Sequence, residues 1–246
     1  MSTDAAVTLS GVSKTFPSGT VALAPVDLAI APGRFVSLVG PSGCGKSTLL
    51  RLIADLIVPS SGTIARAWTS GPSGIGFVFQ DPTLMPWATV ADNVGLPLRI
   101  GGTTGDVNAA LARMGLADFA KAYPRELSGG MRMRASIARA IVAAPAMLLM
   151  DEPFAALDEF TRFGLNDDLL ALWNAHRWTV VFVTHSIREA VFLSERVIVM
   201  SPRPGRIVGD VAIQFDQPRT AALRNSHAFV DACARVSGLL GEGLAA

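Results

Sequence analysis

The chain has few cysteines, almost no net charge and no long apolar run. Its two cysteines, Cys44 and Cys233, cannot form a disulfide framework, so we expect a reducing cytoplasm. With 21 basic and 20 acidic residues the net charge is +1, which gives no electrostatic support for a nucleic-acid partner. The longest apolar run, residues 140–150, contains a proline and is shorter than the ~20 residues that cross a bilayer. The N-terminus also lacks the basic start and apolar core of a signal peptide.

The chain is nevertheless rich in hydrophobic residues. They make up 50% of its 246 residues, and the mean hydropathy is +0.41. A buried parallel sheet has strands that are continuously apolar, and this composition predicts one. It also suggests that some surface is covered by a partner. The length suits one α/β domain with an added lobe.

One nine-residue stretch matches the phosphate-binding loop pattern of glycine, four variable residues and Gly-Lys-Ser/Thr. The residues are Gly40, Pro41, Ser42, Gly43, Cys44, Gly45, Lys46, Ser47 and Thr48. An apolar strand is predicted at 35–39 before it, and a helix is predicted after it, running to about Ile57. The glycines can adopt positive φ, and the backbone N–H groups at the start of the helix attract anions. We predict that Lys46 contacts the β- and γ-phosphates of a nucleoside triphosphate and that Ser47 ligates Mg²⁺.

Polar residues follow three further predicted strands. Asp151 and Glu152 end the strand at 147–150. We predict that Asp151 holds Mg²⁺ through water and that Glu152 polarises the attacking water, the alternative being an acidic turn. Gln80 ends the strand at 75–79, on the side of a sheet where ligands bind. His185 ends the strand at 180–183 and is predicted to sense the γ-phosphate, although an isolated histidine is more often structural.

A second glycine-containing helix start lies in a helical region. Ser128, Gly129 and Gly130 precede a predicted helix at 131–144 and form a second place suited to anions. Three arginines on that helix, Arg132, Arg134 and Arg139, are predicted to be solvated. We expect residues 83–144 to be a helical lobe inserted into a nucleotide-binding core of 1–82 and 145–246. Near the N-terminus, Phe16 has the aromatic surface to stack on a nucleobase, but the sequence alone favours a core position.

Together these motifs resemble the ATP-binding subunit of ABC transporters, in the family's order across nearly the whole chain. They are the Walker A loop at 40–48, the Q-loop Gln80, the signature at 127–131, Walker B at 147–152, the D-loop at 156–158 and the switch His185. The resemblance implies an α/β fold with a P-loop NTPase sheet core and an inserted helical lobe, and it implies ATP hydrolysis with Mg²⁺. It assigns catalytic roles to Glu152, His185, Gln80 and Lys46. The metal ligands are Ser47, Gln80 and Asp151.

The family also implies a head-to-tail homodimer in which each ATP lies between two subunits. The implied nucleotide contacts are Phe16, residues 40–48, Ser128, Gly129, Gly130 and Asp158. Three positions depart from the family's usual pattern. Met131 replaces Gln at the end of the signature, Phe16 replaces a stacking Tyr, and Asp55 replaces a Gly.

Finer features are similar to the nitrate, sulfonate and taurine group of bacterial importers. They are the segments 79–82, 84–87 and 201–206. The resemblance then implies transmembrane permease subunits as partners, an extracytoplasmic solute-binding protein as an indirect partner, and a place at the cytoplasmic face of the cell membrane. Trp87 and its neighbours either dock a permease helix or pack inside the lobe.

Three other functions are alternatives to solute import. A non-transport ABC ATPase in translation or DNA repair usually has two cassettes or a coiled-coil insertion, and neither is present. A GTPase needs a guanine-reading Asn-Lys-x-Asp motif, which the chain lacks. An ABC exporter cassette is commonly fused to membrane spans. The sequence leaves the transported solute open.

Overall fold

The computed structural model describes residues 5–68 and 74–245, which form an α/β protein. The chain divides into two compact units. The first unit comprises residues 1–67 and 179–246, and the second comprises residues 68–178. Within the part of the chain that the structure describes, no helix has both the length and the apolar character to cross a membrane.

The first unit contains two groups of strands. An antiparallel sheet has the order β2-β1-β4, formed by β1 (Val7–Thr15), β2 (Val21–Ile30) and β4 (Ser61–Arg66). The second group has the order β7-β3-β8-β9, formed by β3 (Phe35–Val39), β7 (Thr179–Val183), β8 (Arg196–Met200) and β9 (Ile207–Ala212). β3 is parallel to both of its neighbours, and β9 is antiparallel to β8. Every residue of β3 and β7 is buried, as expected of strands covered on both faces.

Three helices complete the first unit: α1 (Lys46–Ile53), α6 (Ile187–Leu193) and α7 (His227–Ala245). A 3₁₀ turn at Ala221–Asn225 precedes α7. α1 is four residues shorter than the sequence predicts, because Asp55 adopts a left-handed φ of 61°. Arg66 then binds the end of the helix, donating to the carbonyls of Leu52 at 2.7 Å and Ile53 at 2.9 Å.

The second unit is mainly helical. Its strands β5 (Ile75–Val78) and β6 (Met147–Asp151) are parallel. Its helices are α2 (Val90–Gly101), α3 (Val107–Arg113), α4 (Gly129–Ile141) and α5 (Glu159–His176), with 3₁₀ turns at Ala117–Phe119 and Pro124–Glu126. α3 begins with a side-chain cap, since Asp106 accepts the N–H of Ala109 at 2.9 Å. The buried Trp173 anchors α5, and its indole N–H donates to the carbonyl of Trp178 at 2.9 Å.

Candidate functional site

The glycine-rich loop lies in the first unit and connects β3 to α1. Two of its glycines have left-handed backbones, with φ of 74° at Gly43 and 104° at Gly45. A Cβ at Gly40 would lie 2.9 Å from both the Cys44 sulfur and the Met200 carbonyl. Side chains are therefore excluded at these positions by conformation or by space. This is the loop geometry that the sequence predicts.

The helix behind this loop differs from the others at its N-terminus. Helices α2 to α6 each begin with a side-chain cap, supplied by Thr89, Asp106, Ser128, Asp158 and Ser186. α1 begins at Gly45, and among the described residues no side chain caps it. Backbone N–H groups at a helix start need an acceptor, and the helix dipole favours an anionic one. The start of α1 therefore fits a phosphate group.

Lys46 places a cation in the loop. Only 4% of the residue is exposed, and its ammonium donates to the carbonyls of Gly40 at 2.8 Å and Pro41 at 3.0 Å. These contacts hold the charge at the loop, in reach of a phosphate seated on the start of α1. Among the described residues there is no cluster of three or more metal-binding side chains.

Phe16 follows β1 and is half-buried, so the core position favoured by the sequence is wrong. The Lys14 ammonium lies 5.6 Å from the ring centroid. That ammonium also donates to the carbonyl of Val58 at 2.6 Å, which fixes it beside the ring. A half-exposed ring supported by a cation is compatible with stacking on a base.

The turn that carries His185 is held on both sides, still within the first unit. β7 ends at Val183, and His185 is exposed. The hydroxyl of Thr184 donates to the carboxylate of buried Glu189, and it also accepts the N–H of Ser186 at 3.0 Å. Ser186 then caps α6 by accepting the N–H of Glu189 at 3.3 Å. The imidazole is therefore presented from a rigid turn.

In the second unit, the two acidic residues end a buried strand as predicted. Asp151 is the last residue of β6 and is 9% exposed. Glu152 has a left-handed φ of 48°. Asp55, Ala144 and Arg177 share such a φ but follow helices, where this conformation is common, whereas Thr83 shares it with a φ of 47° in the segment after β5. Strain directly after a strand is typical of positions that hold a functional side chain.

Three further site residues lie in the second unit. Gln80 is exposed, two residues after β5. It lines a cavity of about 380 Å³ together with Gly129 and Leu157, so the structure brings the Q-loop glutamine, the signature and the D-loop to one surface. Ser128 caps α4 by accepting the N–H of Met131 at 3.2 Å.

Asp158 has a structural role that the sequence analysis did not predict. Its carboxylate caps α5, accepting the N–H of Thr161 at 3.0 Å and the Thr161 hydroxyl at 2.7 Å. The backbone and hydroxyl donors of Thr161 lower the pKa of Asp158 below its usual value. The D-loop aspartate therefore helps to set where α5 begins.

The prediction that three arginines of α4 are solvated is wrong. Arg139 donates to the carbonyls of Pro82 at 2.8 Å and Thr83 at 2.9 Å, and desolvation lowers its pKa. Arg134 pairs with Asp168 at 2.7 Å, and Arg132 donates to the Leu127 carbonyl at 2.7 Å. Arg139 thus ties the signature helix to the segment after Gln80. No sequence signal marked this role, because its partners lie more than 50 residues away.

The chain matches the family model described as ABC transporter over residues 23–155. A putative ATP-binding protein of Brucella abortus is 47% identical over 219 residues, covering 86% of this chain and 84% of that protein. The aliphatic sulfonates import ATP-binding protein SsuB 1 of Burkholderia cenocepacia is 46% identical over 220 residues, covering 89% of this chain and 68% of that protein.

A solved structure is also similar. It is the dimeric ATP-binding cassette MJ0796 in a post-hydrolysis state bound to ADP and Pi. The two chains are 33% identical with a TM-score of 0.75, and the match covers 85% of this chain and 100% of that one. The expected fold class, an α/β ATP-binding cassette, is confirmed.

Proposed function

The chain belongs to the ABC transporter family of ATPases, and from this membership we propose that it powers a bacterial importer of a small sulfonate or a similar solute. The proposal that the chain binds a nucleotide rests on the start of α1. Among the described residues no side chain caps this helix start, and it follows a glycine loop with a buried lysine. The import part is supported by 46% identity to proteins named for aliphatic sulfonate import. A role in translation or DNA repair is not favoured.

The proposed nucleotide site takes its residues from the motifs that the sequence places in the family's order. Phe16 stacks on adenine, and residues 40–48 bind the phosphates through backbone N–H groups and Lys46. Ser47, Asp151 and Gln80 would hold Mg²⁺, which would neutralise charge on the phosphate oxygens. Glu152 orients and polarises the attacking water, and His185 donates a hydrogen bond to the γ-phosphate.

We propose that hydrolysis requires a homodimer. Ser128, Gly129, Gly130 and Asp158 would contact the ATP held by the partner subunit. The N–H groups at the start of α4 and the exposed cavity beside Gly129 give this surface the character of a phosphate-binding site. The dimeric cassette with ADP and Pi supports this arrangement. We also propose that residues 83–144 form the helical lobe and that residues 1–82 and 145–246 form the nucleotide-binding core.

The proposed second partner is a membrane permease, which would place the chain at the cytoplasmic face of the cell membrane. A groove of about 350 Å³ in the second unit is lined by apolar side chains that include Phe77, Phe79, Leu96 and Ile100. Trp87, in the segment before α2, is 76% exposed. An apolar groove and an exposed tryptophan in the same unit are both features that suit an amphipathic helix of the permease. A solute-binding protein would act on the permease from the other side of the membrane.

The catalytic assignment is tested by Glu152→Gln. We expect this variant to bind Mg-ATP as the wild type does but to release phosphate about 10²–10⁴ times more slowly, because the general base is lost. The assay is phosphate release at saturating Mg-ATP, beside equilibrium binding of a fluorescent ATP analogue. Glu159→Gln, an exposed glutamate in the first turn of α5, is the matched control and should retain activity. Hydrolysis by Glu152→Gln at the wild-type rate would show that another group activates the water.

The solute class is tested with the permease and the solute-binding protein of this chain, after they have been identified from its neighbouring genes. Sulfonates should stimulate ATP hydrolysis by the reconstituted assembly, whereas equal concentrations of nitrate or aromatic acids should not. Stimulation by one of those other solutes alone would reassign the substrate.

A further inference from the structure

A loop remote in sequence packs against the phosphate loop within the first unit. The loop comprises residues 201–206, between β8 and β9, and is here called the β8–β9 loop. Its Arg203 donates to the carbonyl of Gly43 from Nε at 3.2 Å and from Nη2 at 3.1 Å. Its buried Gly205 also touches the phosphate loop, since a Cβ there would lie 2.0 Å from the carbonyl oxygen of Cys44. The two loops are therefore in backbone contact.

The β8–β9 loop is itself held in place. The N–H of Gly205 donates to the carbonyl of Ala22 at 3.0 Å, and the carbonyl of Gly205 accepts the N–H of Ala24 at 3.1 Å. Across the loop, Ser201 N–H donates to the Arg206 carbonyl at 2.9 Å, and Arg206 N–H donates to the Ser201 hydroxyl at 3.1 Å. The bonds to β2 and the bonds between Ser201 and Arg206 hold the backbone of this loop. The Arg203 guanidinium therefore contacts Gly43 from a loop of fixed conformation.

The contacted peptide joins Gly43 to Cys44. Gly43 is exposed and has a φ of 74°, a conformation that glycine adopts without strain but does not enforce. In a trans peptide the carbonyl and the following N–H point in opposite directions. The guanidinium of Arg203 holds the Gly43 carbonyl on one side, and on the other side the N–H of Cys44 donates to the Pro41 carbonyl at 3.3 Å. The orientation of this peptide is therefore held by a side chain from outside the phosphate loop and by a backbone bond within it.

We propose that Arg203 is a positioning residue of the phosphate loop. Together with the bond from the Cys44 N–H to Pro41, its two N–H groups fix the Gly43–Cys44 peptide and so set the position of the following amides of Gly45 and Lys46, which would bind a phosphate group. A planar guanidinium donates two bonds to one carbonyl, whereas an ammonium is a single point donor, so arginine and lysine are not equivalent here. This inference rests on the proposed nucleotide site and adds to it a residue about 160 positions away.

The test compares nucleotide binding by full-length variants. Arg203→Ala removes both the charge and the two hydrogen bonds to the Gly43 carbonyl. Arg203→Lys keeps the charge but cannot donate two hydrogen bonds from one planar group. Arg206→Ala is the matched control, because Arg206 is an exposed arginine of the same loop whose recorded hydrogen bonds are made by its backbone. The measurements are the Kd for Mg-ADP, the melting temperature without nucleotide, and hydrogen exchange of a peptide covering residues 40–48.

We expect Arg203→Ala to raise the Kd about 3- to 10-fold, Arg203→Lys to recover part of this loss, and Arg206→Ala to bind as the wild type does. Exchange within residues 40–48 should be faster in Arg203→Ala, while the melting temperatures stay close. A role in folding alone would lower the melting temperature and leave the Kd of the folded fraction unchanged. If Arg203→Ala does not fold, Arg203→Lys carries the same comparison.

Two results would overturn the inference. One is an unchanged Kd and unchanged exchange in both Arg203 variants. The other is an equal loss of affinity in Arg206→Ala, which would show that only the charge of the loop matters. A wild-type chain that binds no Mg-ADP would instead refute the proposed nucleotide site, so the two failures are distinguishable.

Discussion

The exposed fraction of Trp87 allows its contributions to folding and to permease docking to be estimated separately. Tryptophan side chains bury about 150–250 Å² when covered, and 76% of Trp87 is exposed in this chain. The quarter that is buried amounts to at most about 60 Å², or about 1.5 kcal/mol of folding free energy at ~25 cal/mol/Å². Covering the exposed remainder with a permease helix would bury up to about 190 Å², an upper limit near 5 kcal/mol before the costs of association.

Trp87→Ala should therefore separate folding from docking. We expect the melting temperature to fall by at most about 6 °C and the chain to keep its own ATPase activity. Its affinity for the co-expressed permease should fall by about 30-fold or more, the loss expected when a central aromatic anchor is truncated. The assays are thermal melting, phosphate release and co-purification from detergent-solubilised membranes.

A matched variant checks that exposure alone does not cause the loss. Phe160→Ala removes an aromatic that is 89% exposed and lies in α5 rather than in the segment before α2, so it should retain the permease. A Trp87→Ala chain that melts more than about 10 °C early, or that co-purifies fully, would refute the docking argument. The exposure already favours docking over packing inside the lobe, the two interpretations that the sequence left open.

Two further predictions concern the signature and the D-loop. Mixing a Lys46→Ala chain with a Ser128→Arg chain should restore about one working site per heterodimer, measured as phosphate release above either variant alone. Turnover no higher than that of the separate variants would count against a shared site. Asp158→Ala should lower the melting temperature at pH 7, because the cap of α5 is lost. The folded-state pKa of Asp158 is depressed, so its stabilisation is present above the unfolded value near 3.8 and is lost as the pH falls through the folded value. The melting temperatures of wild type and variant should therefore converge below about pH 4, and a constant gap would contradict the capping role.

Much of the site was predictable because its residues act within a few positions of each other. The phosphate loop, the strand before it and the helix after it are contiguous, and Lys46 contacts carbonyls five and six residues away. Helix caps are equally local, since Ser128 and Asp106 each bind an N–H three positions later. The end of α1 was missed because it depends on the left-handed Asp55 and on Arg66, which the pairing of β4 with β1 brings to the carbonyls of Leu52 and Ile53.

The amino-acid sequence by itself determined the fold class, the order of the motifs and the local chemistry of each strand end and helix start. Apolar runs and glycine positions are properties of the chain that hold before it folds. Only the tertiary structure decided that Arg139 reaches Thr83, that Arg203 reaches Gly43 and that Trp87 remains exposed. An arginine looks the same in the sequence whether water or a distant carbonyl satisfies its donors. Which of the two it meets is set by the packing of strands and helices that lie tens to hundreds of residues apart.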